Sequence, residues 1–224
     1  MTALPPQPTV APDRSDGDLT RPRLVAAVAW AAGVVALGVT LRLEPGNRTF
    51  VLGALVMASV WVVGAVLVGV GPWRGASSVG RQVLAGVGVG ALAGVLCLVV
   101  GAAISRAEAL AGPAQVLLAH RGTAPIAVVL AITIVNGIAE ELFFRGALFG
   151  VTPARWAIPV TAVVYAAATI PSGIALLTAA GLMLGVMTAW LRQRTGGLLA
   201  PIAAHLTWSV GMLVLLPLVL TSGR

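Results

Sequence analysis

Pro125-Ile-Ala-Val-Val-Leu-Ala-Ile-Thr-Ile-Val-Asn136-Gly-Ile-Ala-Glu140-Glu141-Leu-Phe-Phe-Arg145-Gly-Ala-Leu-Phe149 is apolar for most of its length, yet it carries an amide, two carboxylates and a guanidinium. Its length falls within the roughly 17 to 25 residues that a helix needs to cross a bilayer. A charge held inside a membrane costs about 2.5 kcal/mol or more. Three together in Glu140, Glu141 and Arg145 therefore imply a pairing partner, an aqueous cavity or chemistry.

Composition agrees with a lipid solvent. Of 224 residues, 58% are hydrophobic and 9% charged, with a mean hydropathy of +1.00, whereas soluble domains are roughly 25% charged. The net charge of +7 comes from arginine alone, since the chain has no lysine. These arginines are scattered through short segments between apolar runs, which argues for bilayer anchoring and against nucleic-acid binding. The lone Cys97 excludes an intrachain disulfide and leaves the redox compartment unread.

Residues 1–22 are rich in proline and mixed in charge, and read as a disordered tail followed by a retained anchor. Apolar runs follow at 24–41, 50–70, 83–103, 125–149, 156–171, 174–191 and 197–219. The expectation is an all-α, polytopic transmembrane helix bundle of about seven spans, with residues 23–124 as accessory helices and 125–224 as the core that carries the polar site. Segment 105–124, with Pro113, His120 and Arg121, reads as an interfacial loop or short helix. With the N-terminus inside, nine arginines fall on the inner side and five on the outer, which favours a cytoplasmic N-terminus, in the plasma membrane, by the positive-inside rule.

Gly86, Gly90 and Gly94 recur every four residues on the third run, as do Gly181 and Gly185 on the sixth. Small residues at this spacing let helix backbones approach closely where lipid offers no hydrophobic drive. Each glycine reads equally well as ordinary membrane-helix filler.

Helical geometry separates the charges of the fourth run. Glu141 and Arg145 are four apart with the carboxylate first, so they pair along one side. Glu140 lies about 100° away, with Asn136 one turn before it on its own side, and is the freer carboxylate. A buried carboxylate beside a guanidinium can be tuned to act as a general base. Physics alone leaves three readings open: catalysis, a buried ion-pair staple between helices, and an ion or proton pathway. Tyr165 and Thr169 share a face of the fifth run, as do His205 and Ser209 on the seventh. Such residues also serve as ordinary hydrogen-bonding groups inside helix bundles.

Glu140-Glu141-Leu142-Phe143-Phe144-Arg145-Gly146 resembles the EExxxR motif of the CPBP family of intramembrane endopeptidases. That family includes CAAX prenyl protease 2 of the Rce1 type and bacterial bacteriocin-processing and self-immunity proteins. Arg194-Thr-Gly-Gly-Leu-Leu-Ala-Pro-Ile-Ala-Ala-His205 is similar to the approach to the family's last motif, and the likeness covers roughly residues 125 to 215. The family pattern continues with Phe-x-x-x-His and then with His followed four residues later by Asn or a similar polar residue. Here those positions read Tyr165-Ala-Ala-Ala-Thr169 and His205-Leu-Thr-Trp-Ser209.

The resemblance implies peptide-bond hydrolysis at or near the membrane surface by water activated at Glu140. Glu141 and Arg145 would be its electrostatic support, His205 and Ser209 the oxyanion side, and Tyr165 and Asn136 substrate contacts. Thr169 stands where a histidine is expected, and losing one positioned acid/base group costs about 10² to 10⁴ in rate. The alternative implied is a catalytically silent relative acting as a membrane immunity, regulatory or peptide-binding protein. No cofactor is expected: zinc is less favoured, because Glu140 and Glu141 diverge and the chain has only His120 and His205, with no HExxH spacing. Expected partners are the lipid bilayer and a peptide or membrane-protein substrate. Transport is disfavoured by the lack of an inverted repeat and by polar residues clustered at one depth. On a straight helix from Trp156, Thr169 lies about 20 Å deep, whereas Glu140 and His205 lie about 12 Å deep. A later start, a tilt, or a Thr169 off the catalytic plane is therefore expected.

Overall fold

The computed structural model describes residues 19–43, 47–105 and 125–221. Seven helices build it: α1 Thr20–Thr40, α2 Arg48–Val68, α3 Val79–Ser105, α4 Ile126–Val151, α5 Ala157–Thr169, α6 Ala175–Thr195 and α7 Leu199–Thr221. No strand occurs among the described residues. All but α5 are long and apolar enough to cross a membrane, and the chain is an integral membrane protein with a polytopic helical fold. Residues 1–18, the tail's bulk, and His120 lie outside the described residues.

The first helix starts at Thr20, inside the stretch read as tail. Pro22 fits there because the first turn of a helix needs no backbone donor. The fifth run becomes a helix of 13 residues, about 20 Å long at 1.5 Å per residue. Single 3₁₀ turns at Ala154–Trp156 and Ile170–Ser172 bracket it. Pro153 and Pro171 close it at each end, and Gly173 turns the chain into α6 with φ 71°, a left-handed conformation that glycine adopts without a Cβ clash.

Helix packing follows the small residues. The most extensive interface joins α3 to α7, where a Cβ on Gly86 would lie 2.4 Å from the Ala200 carbonyl oxygen and one on Gly90 would lie 2.4 Å from that of Ala204. Gly94 has open space instead, so the glycine repeat makes contact only over its first two members. On the other side, Gly185 of α6 admits α5 at Ala162, where a Cβ would come within 2.9 Å of the Ala162 Cα.

The accessory helices are pinned to the helices carrying the polar residues. Trp30 of α1 donates its indole N–H to the Val164 carbonyl of α5 at 3.0 Å. Arg23 donates to the Val151 carbonyl at the end of α4 at 3.1 Å. Trp61 of α2 is buried against Phe143 and Phe144, with ring centroids 4.9 and 5.1 Å away. The two phenylalanines next to the carboxylates thus anchor α4 in the core by close packing, the attraction that remains where lipid offers no hydrophobic drive.

Because backbone stands where an added side chain would sit, Gly90→Leu is expected to destabilise the bundle by about 1–3 kcal/mol or more. Gly94→Leu, facing open space, is expected to be close to neutral. Thermal unfolding of the two variants in detergent compares them directly.

Candidate functional site

The α-helical pattern of α4 gives way immediately after Glu141 to a π-helical segment, Leu142–Leu148. A π segment widens the turn, and such insertions frequently mark functional sites. Two carbonyls in it accept hydrogen bonds from outside the helix. Arg192 of α6 donates its Nε to the Arg145 oxygen at 3.0 Å, and the Gly71 N–H donates to the Gly146 oxygen at 3.2 Å. The linker between α2 and α3 is thereby tied to the middle of the site helix. It is also tied to the start of α7, where the Leu198 N–H donates to the Trp73 carbonyl at 3.1 Å.

Arg145 is fully buried, as is Glu141. Arg145 Nη1 donates to Glu141 Oε1 at 3.0 Å, which is the pairing that their four-residue spacing implies. Its Nη2 donates to the Gly185 carbonyl of α6 at 3.2 Å. The same Glu141 Oε1 lies 2.8 Å from His205 Nδ1 of α7. A carboxylate oxygen that takes the Arg145 bond is an acceptor, so Nδ1 is the nitrogen that donates to it, and Nε2 is left facing Glu140. Glu141 Oε2 and Arg145 Nε are buried with no hydrogen-bond partner among the described residues.

Glu140 belongs to a different environment. It lines a cavity of about 210 Å³ together with Asn136, Tyr165, Thr169, His205 and Ser209. The Tyr165 phenol donates to Glu140 Oε2 at 2.6 Å, and His205 Nε2 lies 3.9 Å from that same oxygen. Asn136 donates its Nδ2 to the Ile132 carbonyl at 3.0 Å, while its Oδ1 is buried without a partner among the described residues. A second, wider groove of about 380 Å³ runs between α2 and α4. Only apolar side chains such as Val51, Leu55 and Val135 line it, so it offers nothing for chemistry.

Six of the eight residues singled out from the sequence therefore surround one cavity, with Glu141 and Arg145 fully buried behind it. Their contacts differ from the implied roles in three places. Tyr165, expected to contact substrate, bonds Glu140. His205, expected on the oxyanion side with Ser209, first bonds Glu141. Thr169 shares the cavity, but its hydroxyl donates to the Ala166 carbonyl at 2.7 Å and lies 3.2 Å from the Thr178 hydroxyl of α6. The helix does not start late, since α5 begins at Ala157. Tyr165, one turn before Thr169, is the α5 residue that meets Glu140.

Arg192, the Gly185 carbonyl and the cavity-lining Trp208 escaped sequence reading. Arg192 looked like a membrane-edge arginine, while the structure buries it to 8% exposure. The glycine spacing of α6 was the one signal that pointed to Gly185. Among the described residues, no three His, Cys, Asp or Glu side chains converge in a way that would hold a metal ion.

Residues 122–211 match the family model described as Type II CAAX prenyl endopeptidase Rce1-like. No curated protein and no solved structure matches the chain. The matched stretch runs from α4 into α7 and includes every residue of the site.

Removing one partner of a buried ion pair strands the other charge. Arg145→Met is expected to destabilise the fold by about 3–5 kcal/mol. Arg194→Met, at an exposed position, is expected to stay within about 0.5 kcal/mol. Thermal unfolding in detergent separates them.

Proposed function

We propose that this chain is an intramembrane endopeptidase of the Rce1-like type that hydrolyses a peptide bond at or near the membrane surface, using water activated by Glu140. The observation that carries the reading is the division between the two carboxylates. Glu141 is buried and neutralised by Arg145, whereas Glu140 faces a polar cavity with His205 Nε2 beside it at 3.9 Å. Among the described residues Glu140 Oε1 accepts no hydrogen bond, which leaves it able to take a proton from water.

In this reading Glu140 removes a proton from a cavity water, and the hydroxide attacks the scissile carbonyl carbon. The carbonyl oxygen becomes an oxyanion, stabilised by the doubly protonated form of His205, whose Nε2 donates to it while Nδ1 donates to Glu141, and by the Ser209 hydroxyl, one turn along on the same face of α7. Collapse of the tetrahedral intermediate breaks the C–N bond as Glu140 returns its proton to the leaving amine. Glu141 fixes the His205 ring through Nδ1. No metal takes part in these steps. The arginine distribution supports a cytoplasmic N-terminus and a core opening to that side; the membrane we assign is the plasma membrane. The substrate class is a membrane-tethered peptide, prenylated or not.

One observation favours a second reading. The Thr169 hydroxyl is committed to Ala166 and Thr178, so α5 supplies no imidazole beside Glu140. On that reading the same cavity binds a peptide without cutting it, and the chain is a silent immunity or regulatory protein.

Cleavage of a membrane-tethered peptide pool by the purified protein decides between them. Glu140→Ala is expected to lower the rate by about 10²-fold or more, and survival of cleavage in that variant sinks the mechanism. An inert wild type that gains activity with Thr169→His identifies the silent relative.

A further inference from the structure

Tyr165 is the only tyrosine in the chain, and it is buried to 7% exposure. Its phenol oxygen lies 2.6 Å from Glu140 Oε2. That length is a short hydrogen bond, with the phenol O–H donating to the carboxylate oxygen. The ring is held on two sides. Phe144 meets it edge-on, with centroids 4.8 Å apart and planes at 89°. The Arg145 guanidinium carbon lies 4.7 Å from the ring centre, within the range of a cation–π contact.

A buried tyrosine normally finds a partner for its hydroxyl, and a purely structural contact would end there. Here the partner is the carboxylate at the cavity, and the geometry decides which of its oxygens is engaged. Tyr165 bonds Oε2, and His205 Nε2 flanks the same atom at 3.9 Å. The neighbouring cavity-lining hydroxyl on α5, that of Thr169, is committed to Ala166 and Thr178. Tyr165 is therefore the only α5 side chain recorded as bonding Glu140 among the described residues.

We propose that Tyr165 is the positioning residue for Glu140, locking Oε2 so that Oε1 is presented to the cavity. The proposal rests on the reading of Glu140 as the base. A carboxylate free to rotate would spread its two oxygens over many orientations, whereas one held at Oε2 keeps the reactive lone pairs aimed at one place. The clamp also couples the two halves of the site, because the Arg145 that neutralises Glu141 packs on the ring that holds Glu140.

Two measurements on the full chain in detergent micelles test it. The single tyrosine allows biosynthetic 3-fluorotyrosine to report one ¹⁹F resonance. Glu140→Gln is expected to move that resonance well beyond the spread given by Ser59→Ala, a change at an exposed position on α2. A resonance unmoved by Glu140→Gln overturns the proposal, whatever the activity. In cleavage of the tethered peptide pool, Tyr165→Phe is expected to lower kcat about 10- to 100-fold, with KM changed by less than about threefold. A lowered unfolding temperature with kcat intact would mark Tyr165 as merely structural and overturn the positioning role, while leaving Glu140 as base. Cleavage that survives Glu140→Gln instead overturns the reading of Glu140, and the positioning role with it.

Discussion

Everything at the centre of this protein depends on keeping Arg145 inside a membrane bundle. Its guanidinium is fully buried, and a lone charge there would be too costly to keep. The solution spreads over several elements. Glu141 supplies the countercharge from the preceding turn, and the Gly185 carbonyl of α6 supplies a second acceptor. The π segment that contains Arg145 has carbonyls bonded in turn by Arg192 and by the Gly71 N–H. Arg145 and Gly146 together thus draw α6 and the linker between α2 and α3 to one point on α4.

His205 reaches that point by a different route. In lipid there is no hydrophobic drive to press α7 against its neighbours, so its position depends on close packing. Gly86 and Gly90 let α3 approach the backbone of α7 at Ala200 and Ala204, one residue before the histidine. The bond from the Leu198 N–H to the Trp73 carbonyl fixes the start of the same helix. An accessory helix with no chemistry of its own therefore sets where the imidazole stands.

The parts of this arrangement that were legible in the sequence are those with a period. Apolar runs mark the spans because a bilayer demands about 20 such residues. Glu141 and Arg145 pair because residues four apart share a helix face. The fifth run, 156–171, already read as the shortest of the seven, and in the structure the helix it becomes is closed by the prolines at 153 and 171. The π segment has no sequence signature, and the bond between Tyr165 and Glu140 is a contact between helices, set by packing rather than by spacing. Depth arithmetic set Thr169 apart from Glu140, whereas in the structure both line one cavity and Tyr165, one turn earlier, makes the bond to Glu140.

A one-residue offset then gives two adjacent glutamates unlike roles. A step of about 100° around the helix turns Glu141 into the fully buried region occupied by Arg145 and Glu140 toward the cavity. Glu141 Oε1 already meets two donors, and its Oε2, though without a partner among the described residues, is buried outside the cavity lining, so neither oxygen is offered to cavity water. His205 spends Nδ1 on Glu141. What remains turned toward the cavity is one carboxylate oxygen of Glu140 and one ring nitrogen of His205. For the proposed reaction those two atoms are the least that suffices: an acceptor for the proton of water, and a donor for the charge that develops when water attacks. Exchanging Glu140 and Glu141 in their roles would leave Arg145 unpaired in the bundle, so the ion pair that stabilises the fold also determines which carboxylate is free to act.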